Sequence, residues 1–152
     1  MAEPVVVITQ PHVHLHEADL SRLEEDALVL TAEERRWGRR RVTTRGGREL
    51  ALALPTGTFL TPGDVLYVAR TWYVIVEAAA EPALAVTPRS REEGLRLAFE
   101  VGHRHFSLAI DGARVLVPDD PAMEQLLARL DVPWERVQEP FIPLRTAHRH
   151  DP

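Results

Sequence analysis

The feature that most constrains the fold of this chain is a change of hydrophobic pattern near residue 80. Between residues 5 and 79, short runs of β-branched and apolar residues alternate with turn-forming residues, and no 3.6-residue period is sustained. Beyond residue 80, two stretches with helical spacing lie between short apolar runs. Because the two patterns imply different packing layers, we expect a β domain at residues 1–79, a second domain at 80–143 and a flexible, histidine-containing tail at 144–152.

The first segment predicts a small all-β sandwich or a partly open barrel. Gly46 and Gly47 indicate a hairpin turn between two of its strands. Residues 61–64 (Thr-Pro-Gly-Asp) indicate another turn, because proline fixes φ and glycine accepts a positive φ. Six short runs predict the strands, at residues 5–8, 27–30, 41–44, 50–54, 65–68 and 72–76.

The second segment predicts the element order β-α-β-β-α-β. Ser90 followed by Glu93 is a capping box that opens the first helix. Asp120 before Pro121 is an N-cap with proline at the first position of the second helix. The strands are expected at residues 84–87, 105–110, 114–117 and 134–138, with a turn at residues 111–112. This order is the split βαβ arrangement of ferredoxin-like domains, so the chain as a whole is expected to be of the α+β class.

Helical spacing predicts which side chains of the two helices face the core. For the first helix, the predicted face is formed by Leu95, Ala98, Phe99 and Gly102. For the second helix, an i, i+3, i+4, i+7 stripe is formed by Met123, Leu126, Leu127 and Leu130. We therefore expect both helices to bury these faces against the sheet.

The chemistry of the chain centres on seven histidines, because cysteine is absent. Without thiolates, a site for Ni(II), Cu(II) or Zn(II) must use imidazole nitrogen and oxygen ligands. Every histidine stands two residues from another, and in extended backbone such pairs point to the same side. The three clusters are His12, His14 and His16, then His103 and His105, and finally His148 and His150.

Ordered short motifs along most of the chain resemble those of the urease accessory protein UreE family. Residues 102–105 (Gly-His-Arg-His) are similar to the family's Gly-Asn-Arg-His motif, with His103 in place of the asparagine. Residues 139–143 (Glu-Pro-Phe-Ile-Pro) resemble the segment before the family's histidine-bearing tail. Further similar motifs lie at residues 30–35 (Leu-Thr-Ala-Glu-Glu-Arg), 47–49 (Gly-Arg-Glu), 54–57 (Leu-Pro-Thr-Gly) and 62–66 (Pro-Gly-Asp-Val-Leu).

This resemblance implies a homodimeric nickel carrier that is not an enzyme. The start of the chain shows no signal-peptide pattern, so we expect a cytoplasmic location. The motif histidine, here His105, is then expected to bind Ni(II) where two C-terminal domains meet, and Zn(II) or Cu(II) can occupy the same site. His148 and His150 in the tail are the expected additional ligands. The partners implied are the urease accessory GTPase UreG and, through it, the urease activation complex. Neither a nucleic acid nor a membrane is expected as a partner.

Two other functions stay open on the residues alone. His103 and His105 could hold zinc beside an open water position in a small metalloenzyme. Alternatively, the β domain could act as an adaptor whose binding to a protein needs no metal. The histidines at positions 12, 14 and 16 fall outside the resemblance and are expected to face water.

Arginine supplies all eighteen basic residues, and five of them fall within residues 35–41. The formal net charge of the chain is -5, which argues against a dedicated nucleic-acid binder. The run therefore predicts a protein contact, or a charged strand edge that discourages unwanted strand pairing.

Overall fold

The computed structural model describes residues 4–13 and 20–145. The chain divides into two compact units, Met1–Ala79 and Ala80–Pro152, so the boundary falls where the hydrophobic pattern changes. Neither helix in the described ranges combines the length and the apolar character that a membrane crossing requires.

The first unit consists of two three-stranded sheets around one apolar core. Its strands are β1 (Val6–Ile8), β2 (Glu24–Leu30), β3 (Arg39–Thr43), β4 (Glu49–Ala53), β5 (Val65–Val68) and β6 (Trp72–Ala78). One sheet has the order β1-β4-β3, with β1 parallel and β3 antiparallel to β4. The other has the order β2-β6-β5, with β2 parallel and β5 antiparallel to β6. Buried leucines and valines of both sheets form a single cluster, which confirms the predicted β domain.

A buried carboxylate holds the β3–β4 hairpin against β2. Asp26 accepts hydrogen bonds from the hydroxyl of Thr44 (2.5 Å), the backbone N–H of Gly46 (2.8 Å) and Nη1 of Arg48 (3.0 Å). Burial raises the pKa of Asp26, but these hydrogen bonds together with the backbone N–H of Ala27 outweigh burial, so the pKa is lowered overall. Glycine at position 46 lets this carboxylate approach, because a Cβ there would lie 2.9 Å from an Asp26 oxygen and would displace it.

The second unit has the predicted β-α-β-β-α-β order. Its elements are β7 (Ala80–Val86), α1 (Arg91–His103), β8 (Ala109–Asp111), β9 (Arg114–Pro118), α2 (Pro121–Leu130) and β10 (Trp134–Pro140). The sheet order is β10-β7-β9-β8, and every neighbouring pair is antiparallel. This is the arrangement of a ferredoxin-like domain, so the predicted fold is confirmed. β7 begins four residues earlier than predicted, because residues 80–83 pair with the end of β10.

Both helices of this unit begin where the capping signals place them. The hydroxyl of Ser90 accepts a hydrogen bond from the backbone N–H of Glu93 (3.1 Å), and Asp120 accepts one from the N–H of Ala122 (2.8 Å). Pro121 is the first residue of α2. Local capping chemistry is therefore enough to fix these two starting points.

The buried face is predicted correctly for α2 and wrongly for α1. In α2, the side chains of Met123, Leu126 and Leu127 are buried, as the stripe indicates. In α1, the buried side chains are Leu97 and Val101, whereas Leu95 and Phe99 are exposed. The sequence of α1 carries two i, i+4 apolar pairs on different sides of the helix, and spacing alone does not indicate which pair faces the sheet.

Candidate metal centre

His103 and His105 do not lie in extended backbone. α1 continues through His103, and His105 has a φ of 62°, which is in the left-handed region. β8 begins only at Ala109. The strand predicted at residues 105–110 is therefore wrong over its first four residues. The expectation that extended backbone directs His103 and His105 to one side is therefore wrong as well.

A Schellman motif ends α1 and fixes the backbone of His105. The N–H of His105 donates to the carbonyl oxygen of Gly102 (3.0 Å), and the N–H of Phe106 donates to that of Val101 (3.2 Å). Phe106 also packs against the hydrophobic cluster that contains Val101, which is the apolar contact typical of the motif. The helix end itself thus turns the chain, and His105 stands at the turn.

His105 occupies the position of this motif where glycine is most common. A left-handed backbone costs a residue with a Cβ roughly 1–2 kcal/mol, whereas glycine adopts it freely. At the other positive-φ positions of the described residues, the chain has four glycines and one aspartate, Asp131. A backbone conformation of this kind at a non-glycine residue is typical of functional sites. The conformation of His105 therefore makes its side chain a candidate functional group.

The imidazole of His105 is exposed and has no hydrogen bond or ion pair with any described residue. Across residues 4–13 and 20–145, no three His, Asp or Glu side chains come together in a group that could hold a metal ion. Protein sites for Ni(II) or Zn(II) use several ligands. Further ligands for a metal at His105 must therefore come from a second copy of the chain or from residues outside these ranges.

Two of the predicted site residues, His148 and His150 of the tail, lie outside the described residues. His14 and His16 of the N-terminal cluster, which are expected to face water, also lie outside them. His12 is described, and its Nδ1 accepts a hydrogen bond from the backbone N–H of Val65 at 3.2 Å. The same Nδ1 lies 3.7 Å from a carboxylate oxygen of Asp64, so His12 belongs to the turn before β5.

The residues next to His105 are engaged with the last turns of α1. The ring of His103 stacks on that of Phe99, with the ring centres 5.8 Å apart and the planes at 11°. Arg104 forms an ion pair with the Glu100 carboxylate and donates to the carbonyl oxygen of Glu100 at 3.0 Å. The hydrogen bond from Arg104 lowers the pKa of Glu100, so this carboxylate is charged and already paired. Neither neighbour is joined to His105.

An apolar surface lies on α1, the helix that precedes His105. Leu95 is 61% exposed and Phe99 is 68% exposed, although they are four residues apart and adjoin each other on α1. Adjoining exposed apolar side chains make this part of α1 a candidate surface for binding another molecule. Sequence reasoning missed this surface because it assigned the two side chains to the core. The signal that could have revealed it is the competing pair Leu97 and Val101.

These features define a small two-domain protein, a β domain followed by a ferredoxin-like domain with an exposed histidine just after its first helix. Two family models match the chain. The model described as "UreE urease accessory protein, N-terminal domain" matches residues 8–79, and the corresponding C-terminal domain model matches residues 81–152. The chain belongs to the UreE family of urease accessory proteins, which confirms the resemblance of the motifs.

Individual relatives agree with this assignment. A urease accessory protein UreE of Deinococcus radiodurans is 43% identical over 112 residues, which cover 74% of this chain and 72% of the relative. A protein of the same name from Ralstonia nicotianae is 39% identical over 127 residues, covering 81% of this chain and 60% of the relative. A third, from Synechococcus sp. (strain JA-3-3Ab), is 37% identical over 114 residues, covering 75% and 76%.

Proposed function

We propose that this chain is a metallochaperone that carries Ni(II) for the maturation of urease. Its cargo binds at His105 where two copies of the chain meet, and His148 and His150 of the tail supply further ligands. The carrier acts in the cytoplasm as a homodimer and performs no catalysis. It delivers nickel to the urease accessory GTPase UreG and the urease activation complex.

The observation that carries this proposal is the backbone of His105. The chain keeps an imidazole at a left-handed position where glycine would be less strained, and it leaves that imidazole exposed. Neutral imidazole is a good ligand for nickel. Membership of a family of urease accessory proteins supports urease as the destination of the metal.

A site shared by two chains follows from the number of ligands. One imidazole per chain is too few to hold a divalent ion tightly, whereas two chains related by a two-fold axis present two. Leu95 and Phe99 offer an apolar surface on α1, the helix that precedes this histidine, which suits contact with the same surface of a second copy. Assembly of the dimer would then also assemble the site.

Few and exchangeable ligands suit transport better than storage. A solvent-reachable site can release its ion to a partner with more ligands, and tail histidines raise the local ligand concentration without forming a rigid cage. The Irving–Williams order favours Cu(II) over Ni(II) at such nitrogen ligands, and Zn(II) can bind there too. Selection of nickel then has to come from the partner proteins.

The two alternative functions make different demands on the chain. A catalytic zinc site needs three protein ligands and an open water position. His103 and His105 are only two, so a zinc enzyme would need a third ligand from outside the described residues or from another chain. An adaptor would bind its partner with equal affinity whether or not metal is present, and this is easily measured.

Nickel titration by calorimetry, with the molar mass measured in parallel, tests the proposal. We expect one tightly bound Ni(II) per two wild-type chains and loss of this site in His105→Ala, with the dimer retained. His103→Ala is the matched control, since it removes an imidazole two residues away, and we expect its affinity to stay within about threefold of wild type. Deletion of residues 146–152 should lower affinity or stoichiometry by less. A His105→Ala protein that binds nickel like its parent would rule out the assigned site.

A further inference from the structure

After its last strand, the chain crosses the sheet of the second unit. β10 ends at Pro140 and lies at one edge of this sheet, whereas β8 lies at the other edge. Four residues beyond Pro140, the backbone N–H of Leu144 donates to the carbonyl oxygen of Leu108, just before β8, at 2.8 Å. Residues 140–145 therefore lead from one edge of the sheet to the other, and we call them the strap.

The strap lies on the face of the sheet that is opposite to the helices. Val117 of β9 belongs to the hydrophobic cluster that contains buried residues of α1 and α2, so the neighbouring Leu116 faces the other side. Leu116 and its cross-strand partner Ala109 line a groove together with Pro140 and Ile142 of the strap. The strap therefore covers part of this second face.

Packing, proline and a backbone hydrogen bond hold the strap in place. Phe141 is only 4% exposed, although it follows the last strand. Pro140 and Pro143 each fix a φ angle, so the strap has few alternative conformations. The N–H of Leu144 is bonded to Leu108, while the side chain of Leu144 is exposed. These contacts fix the point at which residues 146–152 begin.

That point lies near His105. Leu108 follows His105 by three residues, which span at most about 11 Å, and a backbone hydrogen bond brings two Cα atoms to within roughly 6 Å. The Cα atom of Leu144 is therefore within roughly 17 Å of that of His105. His148 and His150 lie four and six residues beyond Leu144, distances that an extended chain spans by up to about 14 and 22 Å. Because each imidazole also extends from its own backbone, both can reach His105 of their own chain.

Release of the strap would place the start of the tail elsewhere. The last fixed residue would then be Pro140, at the edge of the sheet away from β8. The free stretch before His148 would grow from four residues to eight. The effective concentration of a tethered ligand falls as its tether becomes longer than the span it must bridge. The strap therefore matters for how often a tail histidine meets His105.

We propose that the strap is a positioning device, in which Phe141 and the bond between Leu144 and Leu108 hold the start of the tail beside His105 of the same chain. Tail histidines then join the His105 of their own chain at the metal ion. Phe141 is a positioning residue, because it acts through the tail and contacts no metal. The inference rests on the proposed nickel site, but the docking of the strap is a property of the metal-free chain and is measured separately.

Disulfide formation in the metal-free protein tests where the tail lies. The wild-type chain has no cysteine, so Ser107→Cys with Ala147→Cys introduces one possible pair within each chain and keeps all seven histidines. Ser107 is exposed and adjoins Leu108. Mass measurement under denaturing, non-reducing conditions distinguishes a disulfide within one chain from one between two chains. The matched control is Arg91→Cys with Ala147→Cys, because the start of α1 lies about 18 Å from its end.

We expect the 107–147 pair to close within one chain, at a rate that is independent of protein concentration and at least about tenfold above that of the control pair. Leu144→Pro removes the N–H that bonds to Leu108 and should slow this closure at least about threefold. Leu144→Ala keeps the N–H and should leave the rate unchanged. Closure mainly between two chains, or equal rates for the two cysteine pairs, would overturn the proposal.

Nickel titration then tests whether the position of the tail matters to the site. Leu144→Pro should weaken nickel binding about 3- to 10-fold, while Leu144→Ala stays near wild type. Phe141→Ala should have an effect of similar size, and Phe141→Leu should restore most of the affinity because leucine refills the buried position. In a chain without residues 146–152, neither Leu144→Pro nor Phe141→Ala should weaken nickel binding further.

An equal loss of nickel affinity in the shortened chain would show that the strap only supports the fold, and would overturn the proposal. Leu144→Pro keeps the test decisive if Phe141→Ala does not fold, because the side chain of Leu144 is exposed. The disulfide measurement needs no metal, whereas His105→Ala tests the nickel site alone. Failure of the strap and failure of the proposed function therefore give different results.

Discussion

The two helices of the ferredoxin-like unit end in the same way but are used differently. α2 buries its apolar stripe, whereas α1 buries one apolar pair and exposes another, Leu95 and Phe99. Both helices are followed by a non-glycine residue in left-handed conformation, His105 after α1 and Asp131 after α2. In both, the same two Schellman hydrogen bonds close the last turn.

Local structure accounts for one of these helix ends but not for the other. Aspartate tolerates the left-handed region because its short polar side chain can hydrogen-bond locally. In addition, Arg89 donates to the carbonyl oxygen of Asp131 at 2.6 Å. His105 has neither advantage. Natural sequences depart from local structural preferences mainly at functional sites. α1 and the turn after it show two such departures, the left-handed backbone of His105 and the exposed apolar pair Leu95 and Phe99. We therefore propose the metal site at the end of α1.

The largest expected effect is the loss of stability when a buried leucine of α2 is truncated, compared with an exposed leucine of α1. Leu127→Ala in α2 removes a fully buried side chain and should lower the free energy of unfolding by about 2–5 kcal/mol. Leu95→Ala in α1 should change it by less than about 0.5 kcal/mol at concentrations where the protein is monomeric. Urea denaturation measures both values. A large loss in Leu95→Ala would show that α1 uses this side chain in its own core.

The buried carboxylate of Asp26 in the first unit predicts how the free energy of unfolding changes on acidification. Asp26→Asn removes the charge that Arg48 faces and should lower the free energy of unfolding by about 3 kcal/mol at neutral pH. The pKa of Asp26 is lowered by folding, so its contribution is complete above about pH 3.9, the ordinary value, and is lost as pH falls through the folded value.

The difference in stability between wild type and Asp26→Asn should therefore be constant at neutral pH and shrink only in acid. Imidazole binds metal in its neutral form, so nickel is expected to leave on milder acidification, while this hairpin is intact. Unfolding curves recorded across the pH range, together with nickel binding, check the order of the two events. Loss of nickel only in parallel with unfolding would contradict it.

The exposed pair on α1 should govern association of two chains. Phe99→Asp places a charge on the apolar surface and should raise the dissociation constant of the dimer at least about tenfold. Val7→Asp is the matched control, because it adds the same charge at an equally exposed position of the other unit. Sedimentation equilibrium measures both constants. A similar rise in the dissociation constant of both variants would mean that α1 contributes no more to dimerisation than the rest of the surface does.

The smallest effect concerns the strain at the two helix ends. His105→Gly should raise the free energy of unfolding by about 0.5–1 kcal/mol, because the relief of left-handed strain exceeds the entropy that glycine adds to the unfolded chain. Asp131→Gly should raise the free energy of unfolding by less than about 0.5 kcal/mol, since aspartate tolerates this conformation better than histidine does. Thermal unfolding at low protein concentration compares the pair. A destabilised His105→Gly would mean that the imidazole supports the fold.

The order of elements in the second unit could be predicted because its signals are local. Ser90 and Asp120 mark the helix starts through hydrogen bonds that span only two or three residues. The turn between β8 and β9 likewise needs only Gly112, which has a positive φ. Each of these signals depends only on residues that lie within a few positions of one another in the sequence.

The exposed face of α1 and the conformation of His105 could not be predicted in the same way. The choice between the pairs Leu95–Phe99 and Leu97–Val101 depends on where the sheet lies, which is a property of the tertiary structure. The left-handed backbone of His105 is set by its hydrogen bond to Gly102 and by the packing of Phe106, which the residue type alone does not reveal.

The central claim is that the apolar surface and the histidine of α1 build one site from two chains. Nickel affinity measured together with molar mass in Phe99→Asp tests it most directly, because this substitution leaves His105 in place. The account predicts a folded monomer that has lost the tight nickel site, while Val7→Asp remains a dimer that binds one Ni(II) per two chains. A monomeric Phe99→Asp protein that binds nickel with wild-type affinity would contradict the claim.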